Sequence, residues 1–398
     1  MAGKKDGEKN VFWLGLTSFF TDVGSEMIFP ILPIFLTSIL RANIAVVGVI
    51  EGVAESASSI LKLYSGWLSD RLGKRKGLVV LGYALSALTK PMFGFATHWT
   101  HALGARVADR VGKGIRTSPR DALIAASART ERGKWFGLHR MMDTLGAVAG
   151  TVIATILLWK FAPVEGTFRL IFWLSLIPGL LAVILLIAFV REARSPQATR
   201  RPALAWKTLP ASYRRFVMVS GLFGLANFSY AFFLLRAQDL GMLLALIPLL
   251  YLIYNLFYAF TSVPAGQLAD RFGKKAMLAI GWLLFAVTSF GFAKVAEMRT
   301  LWLLFAMYGV FMGITDGVAR AYISDLVEEK RRGTALGVYG MVLGILVIPA
   351  NLVGGLLWDR FGVGVPFLAA AVIAAMAALL LIMMKEGGKM HDRRKHEA

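Results

Sequence analysis

The 398-residue chain contains no cysteine, which excludes disulfides, thiolate metal sites and thiol catalysis. Charge is also scarce. Only 17% of residues are Asp, Glu, Lys or Arg, against about 25% in an ordinary soluble domain. Acids are the scarcer sign: 24 stand against 44 basic residues, a formal net charge of +20. Apolar residues fill the gap, at 57% of the chain, and mean hydropathy is +0.63. A water-soluble globule of this size cannot hide that much apolar surface. The chain therefore reads as an integral membrane protein and not as a soluble enzyme. A basic excess can mark a nucleic-acid binder, but no nucleic-acid motif accompanies it. In a membrane protein the same excess is expected of cytoplasmic loops.

The first ten residues are polar and basic, and an apolar stretch runs from Val11 to Leu40. It is too long for a signal-peptide core and lacks a small-residue cleavage site, so it reads as a retained first span. A spanning helix needs about 20 apolar residues. Twelve such stretches occur, near 11–40, 43–67, 77–97, 100–125, 135–160, 168–190, 213–236, 242–266, 276–295, 301–325, 334–358 and 364–384. They are continuous apolar runs, unlike the alternating segments of an outer-membrane barrel, so the expected fold is all-α. Alternate connections hold clusters such as Arg71, Lys74, Arg75 and Lys76, or Arg271, Lys274 and Lys275. That set, with both termini, is expected to be cytoplasmic, in a multi-pass protein of the plasma (inner) membrane.

An internal repeat organises these spans. Gly66-Trp-Leu-Ser-Asp70-Arg71-Leu-Gly73-Lys74 recurs 200 residues later as Gly266-Gln-Leu-Ala-Asp270-Arg271-Phe-Gly273-Lys274. The same offset aligns Arg120 with Arg320 and Gly137 with Gly337. Two six-span bundles follow, 1–190 and 213–398, the second ending in a basic cytoplasmic tail. A Pro- and Arg-rich cytoplasmic linker over 191–212 joins them. Parallel repeats of six spans are one plan of secondary transporters.

The repeated G-x-L-[SA]-D-R-x-G-K segment, each time after the second span of its half, closely resembles the signature loop of the major facilitator superfamily. The stretch RVGKGIRTSPRDALIA in span 4 is similar to one in a bacterial, efflux-like branch of that superfamily. The resemblance covers essentially the whole chain. It implies that fold, two bundles in parallel pseudo-twofold repeat, with an alternating-access cycle. It also implies that Asp70 faces the start of span 11 near Gly333 to Ala335, and by symmetry Asp270 the start of span 5 near Gly133 to Trp135. A carboxylate suits a helix N-terminus. Gly66, Asp70, Arg71, Gly73 and Arg120, with Gly266, Asp270, Arg271, Gly273 and Arg320, are the candidate gate. The other reading of these loops is simple capping. Arg110-Val-Gly-Lys113-Gly114 resembles the superfamily's span-4 motif, whose Arg is tied to proton transfer in exporters; that carries over to Arg110, while Lys113 stands where Gln is usual. Gly137, Gly146 and Gly150 partly match the antiporter motif of span 5, without its Pro-plus-paired-Gly ending.

Charges inside spans are costly and are functional candidates by default. Asp22 and Glu26, Arg110 and Lys113, and His139 and Asp143 have no equivalent charge 200 residues on, where Leu222, Ala226, Val310, Gly313, Tyr339 and Leu343 stand. These asymmetric charges are the candidates for proton or substrate coupling. Asp22 or Glu26 could alternate between an apolar setting and one flanked by Arg110 or Lys113, loading and releasing a proton on opposite sides. The competing reading is a fixed ion-pair network, since seven acids and eight cations in the N-half spans nearly balance. A softer cavity wall is expected from Asn227, Tyr230, Tyr251, Tyr254, Asn255, Tyr308 and Asn351, with Glu55 opposite.

The sequence thus points to a monomeric secondary transporter of a small solute, with no cofactor and no resident metal. Proton-coupled export of an amphipathic or charged organic compound is the first reading. An anionic metabolite, or a metal or siderophore-type chelate, is the second. His139 with Met141 and Met142 is a weak metal signal, since Met in apolar helices is usually filler. An intramembrane enzyme or lipid scramblase is a remote third.

Overall fold

The computed structural model describes residues 2–127, 132–192, 206, 209–328 and 331–384. Most of the linker expected over 191–212, the basic tail beyond 384, and Arg129 and Lys330 lie outside the described residues. So do the side chains at Arg132, Gly133, Lys134 and Gly333.

Among the described residues the chain folds into twelve spans, with no strand. Span 1 is the helix Ala2–Glu26 followed, after a break, by Leu32–Ile34 and the π-helical turn Phe35–Ile39. Then come Ile44–Leu72, Lys76–Phe95, Trp99–Ser127, Arg132–Phe161 and Glu165–Phe189 in the N-half. The C-half holds Ala211–Asp239, Leu244–Phe272, Lys274–Lys294, Met298–Leu326, Arg332–Phe361 and Gly364–Met383. Ten of these are long and apolar enough to cross a membrane by hydropathy. Spans 1 and 4 fall short because of the charges they carry. Several helices outrun the apolar stretches by a turn or more at the face that carries the termini, because hydropathy registers only the lipid-facing length while hydrogen bonding continues into polar sequence. That end is the terminal face below; the opposite end is the loop face.

The two halves pack alike. Spans 1–5, 2–4, 3–4, 3–6 and 1–6 touch in the N-half, and 7–11, 8–10, 9–10, 9–12 and 7–12 in the C-half. Between halves, span 2 packs along span 11, and span 5 meets span 8 less extensively. Spans 3, 6, 9 and 12 turn large apolar side chains outward, among them Leu88, Ile184, Val287 and Leu379, as lipid-facing helices do.

Lipid supplies no hydrophobic drive between helices, so packing rests on close backbone approach. Gly146 and Gly150 on span 5, a small-xxx-small pair, lie against the carbonyls of Phe19 and Val23 on span 1, where a Cβ would overlap those oxygens. Gly309 and Gly313 do the same for span 10 against Tyr254 and Tyr258 of span 8. Gly150→Leu must therefore push spans 1 and 5 apart, at roughly 1–3 kcal/mol. It should lower the melting temperature in detergent by about 5 °C. Gly166→Leu, with open space at its Cβ, should leave melting unchanged.

Candidate functional site

The site begins at two breaks in register. Span 1 stops being regular after Glu26, and span 7 after Ala226. In span 1 the cause is Pro30, which cannot donate back to the carbonyl of Glu26, with Pro33 one turn on. In span 7 side chains capture the backbone instead. Ser229 N donates to Asn351 Oδ1 on span 11 (2.8 Å), and Ser229 Oγ accepts from Ala231 N (3.3 Å). Beyond the breaks both spans are buried, over Met27–Leu36 and Ala231–Leu235. Gln238 Nε2 donates to Ser38 Oγ across the halves (2.8 Å). The loop face is thereby sealed.

Below the breaks lie two adjoining cavities of ≈ 480 and ≈ 740 Å³. The larger runs between spans 5 and 8 toward the terminal face, past Gly137 and Val263. Their N-half wall is charged. Glu51 and Glu55 on span 2 and Arg106 and Arg110 on span 4 are each four residues apart, so both pairs present one helix face. They meet as a ladder, with Arg106 Nη2 to Glu51 Oε2 at 2.8 Å and Arg110 Nε to Glu55 Oε2 at 3.2 Å. Both guanidiniums lie over the ring of Phe29, at 4.1 and 4.6 Å from its centroid. Asp22, Glu26 and Lys113 also face the cavity. None of the three forms an ion pair within 4.0 Å among the described residues, and Glu26 Oε2 has no hydrogen-bond partner. Behind them Lys90, fully buried, donates to the carbonyl of Thr21 (3.1 Å).

The C-half wall is aromatic. Tyr230 and Tyr251 (ring centroids 4.9 Å apart), Tyr254 and Tyr308 (4.9 Å), and Tyr254 and Tyr258 (6.3 Å) form a continuous run. Asn227, Asn255 and Asn351 stand at its edges. Asp316 on span 10 accepts from the Tyr258 hydroxyl (2.9 Å) and from Arg320 (2.8 Å). Arg140 of span 5 donates to the same tyrosine oxygen at 3.3 Å, bridging the halves.

The structure thus gathers Asp22, Glu26, Glu55, Arg110, Lys113, Asp143, Asn227, Tyr230, Tyr254, Asn255 and Tyr308 around one space. His139 is not among the lining residues. It is buried against span 1 near Gly15, with Nδ1 3.6 Å from Asp143 Oδ2. The gate residues sit apart, at the terminal face. Gly73 caps span 2 in the left-handed conformation (φ 63°), and Gly66 packs on Ser118. Gly266 has open space around it. Asp70 pairs with Arg75 (3.2 Å), and Asp270 lies 3.8 Å from Lys274. The facing side chains at 133, 134 and 333 lie outside the described residues. Arg71 stacks on Trp67, while Arg271 is exposed. Arg120 donates to Asp121 and Ser18, whereas its repeat mate Arg320 donates to Asp316, which lines the cavity. Sequence reasoning passed over Phe29, Tyr258, Ser229 and Asp316. Asp316 was detectable as a rare charge within a C-half span, and Tyr258 as the next position on the helix face of Tyr251 and Tyr254.

A sequence model described as Major Facilitator Superfamily matches residues 14–236 and again 216–398. An uncharacterised MFS-type transporter of Methanocaldococcus jannaschii is 39% identical over 373 residues, 92% of each chain. The multidrug resistance protein MdtH of Photorhabdus laumondii is 26% identical, over 87% of this chain and 86% of that one. The crystal structure of the nucleoside transporter NupG superposes with a TM-score of 0.79 at 14% identity, covering 94% of this chain and 98% of that one, a likeness of fold alone.

Proposed function

Since the chain belongs to the major facilitator superfamily, and is therefore a secondary transporter of a solute across a membrane, we propose that its cargo is an amphipathic organic compound with an aromatic body and a charged group, exported in exchange for protons. One observation carries this reading: a run of tyrosine rings in contact faces a wall of charged side chains across a single cavity. Such a space offers a flat solute two unlike contacts, ring stacking on one side and ion pairing on the other. Multidrug resistance in the name of MdtH fits the same reading. The basic loops favour a cytoplasmic terminal face under the positive-inside rule, and in that orientation a cavity open at that face receives its solute from inside. The two six-span bundles act as the moving units of a monomer, and the ionisable groups at Asp22 and Glu26 carry the proton.

A panel of solutes tests this. Aromatic amphiphiles should raise the melting temperature of the purified protein, and aliphatic compounds of equal charge should not. Tyr254→Leu, at the centre of the tyrosine run, should weaken the aromatic compounds roughly 10-fold, the worth of one good ring contact. Equal stabilisation by aliphatic compounds, or an unchanged affinity in Tyr254→Leu, rejects the aromatic cargo. A second reading, an anionic metabolite, is favoured by Lys113, which faces the cavity with no ion-pair partner among the described residues. Stabilisation by non-aromatic organic anions, lost in Lys113→Gln, would select it.

A further inference from the structure

The pattern G-x-L-x-D-R-x-G occurs a third time, as Gly355-Leu-Leu-Trp-Asp359-Arg360-Phe361-Gly362. The first two copies end spans 2 and 8 at the terminal face. The third ends span 11, which runs the other way, so it lies at the loop face. All three close on a glycine with positive φ, at 63°, 99° and 99°. This copy reaches across the molecule. Asp359 Oδ1 accepts from Ile44 N (3.2 Å) and Oδ2 from Ala45 N (2.9 Å), the first two amides of span 2 in the opposite half. Asn43 caps the next amide, Val46 N, at 2.9 Å. The free N–H groups and the dipole at a helix start favour a carboxylate there. Gly355 makes the approach possible, since a Cβ on it would run into the backbone of Ala45.

We propose that Asp359 is the loop-face gate residue, an inter-bundle latch that holds this face shut and must release the start of span 2 for the face to open. The inference rests on the reading of the chain as an alternating-access transporter. Three observations support it. The contact joins one half to the other. It sits with the Ser38–Gln238 bond on the face that is sealed. And Asp359 is solvent-exposed, so water replaces its partners when it lets go, and the contact is weak enough to break once per cycle. The repeat shows it to be one-sided: 200 residues earlier, at the end of span 5, stands Trp159, which is exposed and cannot accept.

The absence of cysteine allows spin labels to be placed directly. One pair, Thr97→Cys with Thr300→Cys, spans the halves at the loop face; another, Leu72→Cys with Phe272→Cys, spans them at the terminal face. All four positions are exposed. Distances in liposomes would be measured at two pH values and with a stabilising solute. The unlatched Asp359→Ala should move the population toward a longer loop-face and a shorter terminal-face distance, by about 3- to 10-fold in the ratio of states. Ile44→Pro leaves the carboxylate in place and deletes one donor at a position where proline suits a helix. It should shift the ratio the same way by less, and it serves if Asp359→Ala does not fold. Two populations in the parent that neither variant moves would overturn the latch alone. A parent with one population on both faces under every condition would overturn alternating access and the latch with it.

Discussion

Glu51→Gln should lower the melting temperature more than any other single change at the cavity, on the order of 8 °C. Its partner Arg106 is 0% exposed at the side chain and Glu51 only 7%. Among the described residues the guanidinium has one hydrogen bond, to Glu51, its Nε and Nη1 have no partner, and its face rests on Phe29. Glutamine keeps the shape and an acceptor oxygen but removes the charge. That leaves a buried cation uncompensated, which costs about 3–5 kcal/mol. The double replacement Glu51→Leu with Arg106→Met removes both charges and should recover most of the loss. Melting of Glu51→Gln within about 2 °C of the parent would show that this ion pair is not what keeps Arg106 inside.

The second large effect concerns coupling. Glu26→Gln should reduce solute accumulation driven by an imposed pH gradient at least 10-fold in proteoliposomes, a change of about 1.4 kcal/mol or more, while exchange of labelled for unlabelled solute persists. The reason lies in which carboxylates are already committed. Glu51 and Glu55 are held by Arg106 and Arg110, and protonating either would strand a cation. Glu26 faces the cavity with a free oxygen at the end of the first helical segment of span 1. It can take a proton without breaking a fixed pair. Asp22, one turn toward the terminal face, shares that freedom, and Asp22→Asn belongs in the same experiment. Unchanged proton dependence in both variants would reject these residues as carriers.

Much of this architecture is legible in the amino acids because its causes are local or repeated. Apolar length gives the spans, and the 200-residue offset gives the two bundles. The cost of charge in lipid singles out Asp22, Glu26, Arg110 and Lys113, which do line one cavity. Pairing is not legible, because it depends on helix rotation and depth. Nothing in the spacing shows that Arg106 takes Glu51 while Arg110 takes Glu55, or that His139 turns toward span 1. The break in span 7 also escapes a reading by composition, since no proline marks it. Its cause is Asn351, which stands 122 positions from the Ser229 amide that it accepts.

The two breaks also bear on how such a protein changes its cargo. Pro30 leaves the peptide oxygen of Glu26 without its usual helical donor, and Ser229 gives its amide to a side chain instead of to Leu225. Peptide dipoles exposed in this way belong to the main chain and persist as long as Pro30 and Asn351 are kept. Divergence toward new solutes is then channelled into the tyrosines and ion pairs of the walls, beneath that polar ceiling.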